Sequence, residues 1–206
     1  LTTPDSFAAW DEENDVPDYP SPHGLAGWTA DDQYLLIYDR YDIWKFDPTA
    51  QTSPVNLTLN GRKEQLSYRL VKLDKEKKFI NLTEPQLLLA FNEKTKGSGY
   101  YNAHLSAPAV PKTLLAGNFM LKTPVKAKDA NAVIYTSETF EQYPDIRLSD
   151  LAFKKSVRLT NGGEQQADIN WGTAEPVSWP ATAITGIAPS PVIFCTSSVN
   201  TPTFSP

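Results

Sequence analysis

The chain has 206 residues, a formal net charge of −5 and a pI near 5.1, so it lacks the basic stripe expected of a nucleic-acid-binding protein. Its hydrophobic content of 40% is sufficient for a core, but no apolar run approaches the roughly 20 residues that a membrane-spanning helix needs. The single cysteine, Cys195, excludes an internal disulfide framework and a cysteine-based zinc site.

The N-terminal segment is acidic and rich in proline, and it shows little periodicity. We therefore predict that residues 1–23 form an extended linker. Because Leu1 is not an initiator methionine, we expect the chain to be an excerpt or a processed product.

The first strong structural signal is a β-hairpin that follows a small-residue loop at residues 24–32. Residues 34–38 are apolar and rich in strand-forming side chains, Asp39 and Arg40 form a polar break, and residues 41–46 form a second run. This pattern predicts two adjacent antiparallel strands.

The middle of the chain continues in the same manner. Alternating or apolar runs predict strands at residues 67–73, 78–82, 86–91 and 100–105. A lysine-rich turn at residues 74–77 separates the first two runs, and Pro85 favours a strand over a helix for the third. Helical periodicity is almost absent, so we predict an all-β fold.

The hairpin recurs about a hundred residues after its first occurrence. Asp42 aligns with Asp145 at a shift of 103, and Val55 aligns with Val157 at a shift of 102. With the middle copy, the spacing is about fifty residues, which is typical of four-stranded propeller blades. We predict a partial β-propeller of about three four-stranded blades over residues 24–179, whose first and last blades would have uncovered apolar faces.

The end of the chain has a different composition. Residues 176–206 contain no charged side chain, whereas the outer strands of a soluble sheet almost always carry charge. We interpret residues 180–206 as an irregular tail, or as sequence outside the native reading frame.

No serine-nucleophile motif is present. Acyl transfer by serine commonly uses Gly-x-Ser-x-Gly with a histidine base in reach, and this string does not occur. Gly97-Ser98-Gly99 is the nearest match, and we interpret it as a hairpin turn in which glycine supplies positive φ. His23 and His104 are not near a credible nucleophile in sequence. We therefore predict no catalytic residue.

Carboxylates cluster at residues 11–13, at residues 31–32, and at Glu138, Glu141 and Asp145. We expect a solvated linker for the first cluster and turn or capping roles for the others, rather than a metal site. An alternative interpretation places Glu138, Glu141 and Arg147 along a substrate channel.

Three phrases carry a resemblance to a known family. They are Gly-Trp-Thr-x-Asp-Asp with Leu-Ile-Tyr-Asp-Arg-Tyr-Asp-Ile-Trp (27–44), Glu-Thr-Phe-Glu-Gln-Tyr-Pro-Asp (138–145), and Asn-Trp-Gly-Thr-Ala-Glu-Pro-Val-Ser-Trp (170–179). Together they resemble propeller sequence from bacterial prolyl oligopeptidase-family serine peptidases, the dipeptidyl-peptidase-like group. In that family a β-propeller stands over an α/β-hydrolase domain with a Ser-Asp-His triad and limits the access of peptides.

The resemblance implies a non-catalytic propeller segment that gates peptide access to an α/β-hydrolase domain absent from this sequence. Its implied partners are peptide substrates and that hydrolase domain, with no cofactor, metal or nucleic acid, and its implied compartment is periplasmic or extracellular. Whether the chain belongs to an active enzyme stays open, because it lacks the catalytic domain. The alternative is a stand-alone propeller or β-sandwich that binds protein or glycan.

Overall fold

Three antiparallel sheets follow one another along the chain in the computed structural model, which describes residues 7–166 together with residues 169 and 174. Within these described residues, helix is confined to α1 (Gly61–Glu64) and to short 3-10 turns at Ala30–Asp32 and Gly162–Gln166. The predicted all-β character is therefore confirmed, and none of the sheets closes on itself. Their arrangement as propeller blades stays a prediction. Among the described helices, none has the length and apolarity to cross a membrane.

The first sheet has four strands in chain order. They are β1 (Leu25–Trp28), β2 (Leu35–Tyr38), β3 (Ile43–Phe46) and β4 (Val55–Asn56). β2 and β3 form the predicted hairpin, with Leu36 opposite Lys45 and Tyr38 opposite Ile43.

The second sheet also has four strands in chain order. They are β5 (Leu66–Leu70), β6 (Gln86–Asn92), β7 (Ser98–Ala103) and β8 (Lys112–Gly117). The apolar run that precedes the turn at residue 93 is a strand, as Pro85 indicated, and not a helix.

The third sheet has one strand more than predicted. Its main path is β10 (Val125–Lys126), β11 (Val133–Glu138), β12 (Asp145–Ser149) and β13 (Val157–Arg158). An additional short strand, β9 (Met120–Leu121), also pairs with β11, at the opposite end from β10.

Two apolar clusters join the three sheets in sequence. The first cluster lies between the first and second sheets and includes Leu36 and Ile43 on one side and Leu88 and Tyr101 on the other. The second cluster lies between the second and third sheets and includes Leu87, Tyr100, Val133, Tyr135 and Phe153. Because successive side chains of a strand point to opposite faces, the second sheet contributes to both clusters.

The predicted strand at residues 78–82 is wrong. Only Ile80 forms a bridge, parallel to Thr29, and its N–H donates to the Trp28 carbonyl at 2.8 Å. The side chain of Asn81 accepts the N–H of Thr83 at 3.0 Å, which turns the backbone away from an extended path. The segment between β5 and β6 is consequently a loop that touches the first sheet.

The N-terminal segment makes specific contacts with the first sheet. Phe7 is buried, with its ring 5.0 Å from that of Trp44 and 5.1 Å from that of Phe46. Trp10 forms a bridge with Pro22. The domain boundaries proposed from sequence stay predictions, and the segment 180–206 lies outside the described residues.

Candidate functional site

The buried carboxylate of Asp42 holds the backbone in place where the chain leaves the first sheet. Asp42 directly precedes β3, and its Oδ1 accepts hydrogen bonds from Thr58 Oγ1 at 2.6 Å and from the Gly61 N–H at 2.9 Å. Thr58 Oγ1 accepts the N–H of Ile43 at 3.1 Å. A Cβ at Gly61 would lie 2.6 Å from the same Asp42 oxygen, so glycine permits this close approach. These contacts hold the chain as it leaves β4 for the second sheet.

The same arrangement recurs in the third sheet. Asp145 Oδ1 accepts hydrogen bonds from Thr160 Oγ1 and from the Gly162 N–H, both at 2.9 Å, and Thr160 Oγ1 accepts the N–H of Ile146 at 2.9 Å. Arg158 forms an ion pair with Asp145 at 2.5 Å. The Gly162 N–H, helped by Thr160 and Arg158, lowers the pKa of the Asp145 carboxyl below its usual value. This carboxylate therefore has the structural role that the sequence predicted for it.

Another buried carboxylate, Asp39, organises the turn between β2 and β3. Its Oδ1 accepts the N–H groups of Tyr41 and Asp42, and its Oδ2 accepts the indole N–H of Trp44 at 3.1 Å. Arg62 lies 3.5 Å from the same Oδ2. All of these contacts are structural, and none leaves the carboxylate facing a cleft.

The hydroxyl of Ser98, the serine nearest to a nucleophile motif, is hydrogen-bonded to the backbone. Its Oγ donates to the Phe119 carbonyl at 2.9 Å and accepts the N–H of Leu121 at 2.6 Å, so it joins the second sheet to β9. The neighbouring Gly97 does not have positive φ, contrary to the prediction. Lys96 has φ of 59°, while a Cβ at Gly97 would lie 2.2 Å from the Gly117 carbonyl oxygen. Glycine is required here by a close approach between strands.

The two histidines are in different environments. His104 is exposed just after β7. His23 is half-buried in an open cavity that also contains Arg69 and Ser67, and its Nε2 has no hydrogen-bond partner within the described part of the chain. Burial, and then the positive charge of Arg69, lower the pKa of His23. Neither histidine is activated against a serine in the way that acyl transfer requires.

A charged cavity of about 210 Å³ lies at the β11–β12 end of the third sheet. It brings together Glu141 and Arg147, two of the three residues considered for a substrate channel. The third, Glu138, instead forms an ion pair with Lys122 at 3.3 Å. Tyr143 also lines the cavity, as do Asp145 and Arg158, which are paired with each other. The cavity can therefore offer an aromatic face, the Glu141 carboxylate and the Arg147 guanidinium group to a peptide.

A larger cavity, of about 520 Å³, was not recognised from the sequence as a site. It lies between the β5–β6 loop and the region around β10, and we call it the lysine cavity. Its charged lining consists of Lys72, Lys75, Lys77, Lys78, Lys126 and Lys128 with Asp74, Glu76 and Glu84. Lys77 is paired with Glu84 at 3.0 Å, so the remaining positive charges outnumber the carboxylates. The sequence signal was the lysine-rich turn, but Lys126 and Lys128 join it only through folding.

No group of three or more metal-ligating side chains occurs among the residues that the structure describes. In comparisons with known proteins, no family model, curated protein or solved structure matches the chain.

Proposed function

We propose that the chain is a non-catalytic propeller segment of a prolyl oligopeptidase-family serine peptidase, which limits the access of peptides to an α/β-hydrolase domain. In this proposal each sheet is one blade, and the two apolar clusters are the contacts between neighbouring blades. The hydrolase domain and further blades belong to the intact parent protein.

The recurring Asp-Thr-Gly unit is the observation that carries this proposal. Asp42 directly precedes β3 and Asp145 begins β12, and each of these strands is the third along its four-strand path. Each aspartate accepts hydrogen bonds from a threonine and a glycine that follow the fourth strand. The backbone hydrogen bonds of the two sheets also correspond. The N–H of Leu57 donates to the Ile43 carbonyl and that of Leu159 donates to the Ile146 carbonyl, both at 2.8 Å. Equivalent hydrogen bonds between residues shifted by 101 to 103 positions support duplication of one sheet unit, as in a propeller.

The Ser98 hydroxyl is engaged in hydrogen bonds with the backbone, and neither His23 nor His104 is placed to activate a serine. Both observations support the non-catalytic part of the proposal. We expect the chain to give no turnover of chromogenic X-Pro peptides above background. Hydrolysis abolished by a serine-directed inhibitor would refute it. Sequencing the gene on the 3′ side of the Trp179 codon tests the parentage directly: a continuous frame with Gly-x-Ser-x-Gly followed by Asp and His is expected. A different domain in that frame would refute the peptidase assignment.

The charged cavity on the third sheet is the proposed point of contact with peptides. Fluorescence anisotropy with labelled proline-containing peptides tests it on the chain itself. Arg147→Ala should weaken binding at least several-fold, because it removes a guanidinium group that can hold a carboxylate or a carbonyl. Lys128→Ala, in the lysine cavity, is the matched control and should leave this affinity unchanged. Equal effects of the two substitutions would contradict the assignment.

The lysine cavity favours a second candidate function, a module that binds an acidic protein segment or an acidic glycan. A net positive cavity on a negatively charged chain attracts anionic partners, and the attraction weakens with salt. With an acidic peptide as the probe, Lys128→Ala should weaken binding and Arg147→Ala should not. That result, together with no binding of the proline-containing peptides, would replace the peptidase proposal with the binding-module alternative.

A further inference from the structure

The repeated unit ends at the same dipeptide in both sheets. Asn60 and Gly61 follow the threonine of the first unit, and Asn161 and Gly162 follow that of the second, at a shift of 101. These are the only Asn-Gly pairs in the sequence. Asparagine is a thermolabile residue. It is most labile before glycine, because a residue without a side chain lets its backbone nitrogen approach the asparagine amide.

The reaction open to such a pair is deamidation. The glycine nitrogen loses its proton to a solvent base and attacks the asparagine Cγ, and the Cγ–Nδ2 bond breaks as Nδ2 takes up a proton and leaves as ammonia. Water then opens the cyclic succinimide at either of its carbonyl groups, which gives aspartate or isoaspartate. The glycine N–H must therefore be free, and the asparagine backbone must rotate until the nitrogen reaches Cγ.

The fold opposes both requirements at Asn60. The Gly61 N–H donates to the buried Asp42 carboxylate at 2.9 Å. Asn60 has a ψ of −3°, and its carbonyl accepts the N–H of Glu64 at 2.9 Å in the single turn of α1. Its Oδ1 accepts the hydroxyl of Tyr68, in β5, at 3.2 Å. Rotation at Asn60 therefore requires the loss of contacts that tie the first sheet to the second.

Asn161 has the same glycine contact in a much more open setting. The Gly162 N–H donates to Asp145 at 2.9 Å, but Asn161 itself is exposed. Its side chain contacts Arg158 and Glu164, which are exposed as well. Arg158 donates to the amide oxygen of Asn161. A guanidinium group in this position stabilises the negative charge that develops on that oxygen when the nitrogen attacks Cγ.

We propose that Asn161 is a site of spontaneous deamidation in the folded chain, limited by release of Gly162 from Asp145, and that its equivalent Asn60 is protected. The product carries a new carboxylate that competes with Asp145 for Arg158, and isoaspartate also lengthens the backbone before Gly162. Both changes weaken the contacts that hold the chain as it leaves the third sheet. The proposal does not depend on the peptidase assignment, because it follows from the surroundings of the two Asn-Gly pairs.

Peptide mapping by mass spectrometry tests the proposal on the full chain. After incubation at pH 8 and 37 °C, aspartate and isoaspartate should accumulate several-fold faster at Asn161 than at Asn60. In urea that unfolds the chain, the two rates should become similar, because glycine follows both asparagines. Equal rates in the folded chain, or a preference for Asn161 that persists unchanged in urea, would overturn the proposal.

A substitution at Asp145 tests whether its contact with Gly162 limits the reaction. Asp145→Asn should increase the rate at Asn161 several-fold and leave the rate at Asn60 unchanged. Asn60 is the internal control, since general unfolding would accelerate both sites. Asp129→Asn, at an exposed position, is the matched control and should alter neither rate. An unchanged rate at Asn161 in Asp145→Asn, or equal acceleration at both sites, would overturn the role given to this contact.

Discussion

The Asp42 contacts provide the sharpest test of what stabilises the repeated unit. Asp42 is 1% exposed and accepts hydrogen bonds from Thr58 Oγ1 and from the Gly61 and Arg62 N–H groups. Hydrogen bonds to a charged group contribute about 1.5–3 kcal/mol each, and a buried donor left unpaired costs about 1–3 kcal/mol. Because these contributions are not additive, we expect Asp42→Ala to lower the free energy of unfolding by about 3–5 kcal/mol.

A urea titration at pH 7, followed by tryptophan fluorescence, measures this loss. Asp42→Asn should cost less than Asp42→Ala, because one amide oxygen can still accept a hydrogen bond. Asp129→Asn is the control, since Asp129 is exposed, and it should fall within about 0.5 kcal/mol of the unchanged chain. A double-mutant cycle with Thr58→Val should show coupling between the two positions. If Asp42→Ala is no more destabilising than the control, the unit does not depend on this carboxylate.

Three other predictions concern different parts of the chain. Phe7→Ala should lower the free energy of unfolding by about 3–5 kcal/mol in the same urea assay, because it removes a buried ring, and a smaller loss than about 1 kcal/mol would show that the N-terminal cover is unimportant. Asp145 has a lowered pKa, so its contribution to stability is present above its unfolded pKa near 4 and is lost as the pH falls through the folded value. Melting temperatures measured from pH 6 to pH 2 should therefore fall, and fall less steeply for Asp145→Asn; identical slopes would contradict this. Burial raises the pKa of Tyr68 and of Tyr100, so the stability that depends on their neutral forms is present below pH about 10 and is lost above it. Phenolate absorbance should then rise together with unfolding, and ionisation of every tyrosine before unfolding would refute the burial of these two.

Much of the sheet structure follows directly from local sequence signals. Apolar runs separated by a polar break indicated the β2–β3 hairpin. The alignment of Asp42 with Asp145 agrees with their equivalent hydrogen-bond partners, Thr58 and Thr160. These features depend on residues close together in sequence, where side-chain type largely determines the local backbone. The prediction of all-β structure was confirmed for the same reason.

The errors arise where segments distant in sequence meet. Ile80 belongs to an apolar run, but its backbone pairs with Thr29, about fifty residues earlier, and not with a neighbouring strand. The requirement for glycine at position 97 comes from Gly117, whose position is set by the β7–β8 pairing. The lysine cavity likewise needs Lys126 beside a loop from the second sheet. No local pattern encodes such approaches.

The order of the sheets along the chain has a consequence for folding during synthesis. β4 ends at Asn56 before β5 begins at Leu66, so each sheet is complete in sequence before the next one starts. Domains that emerge first from the ribosome generally fold first, and pairing between sequence neighbours is fast. The first sheet emerges together with Phe7, its own cover, and each later sheet then shields the one before it. Apolar surface is thus exposed mainly at the growing end of the chain.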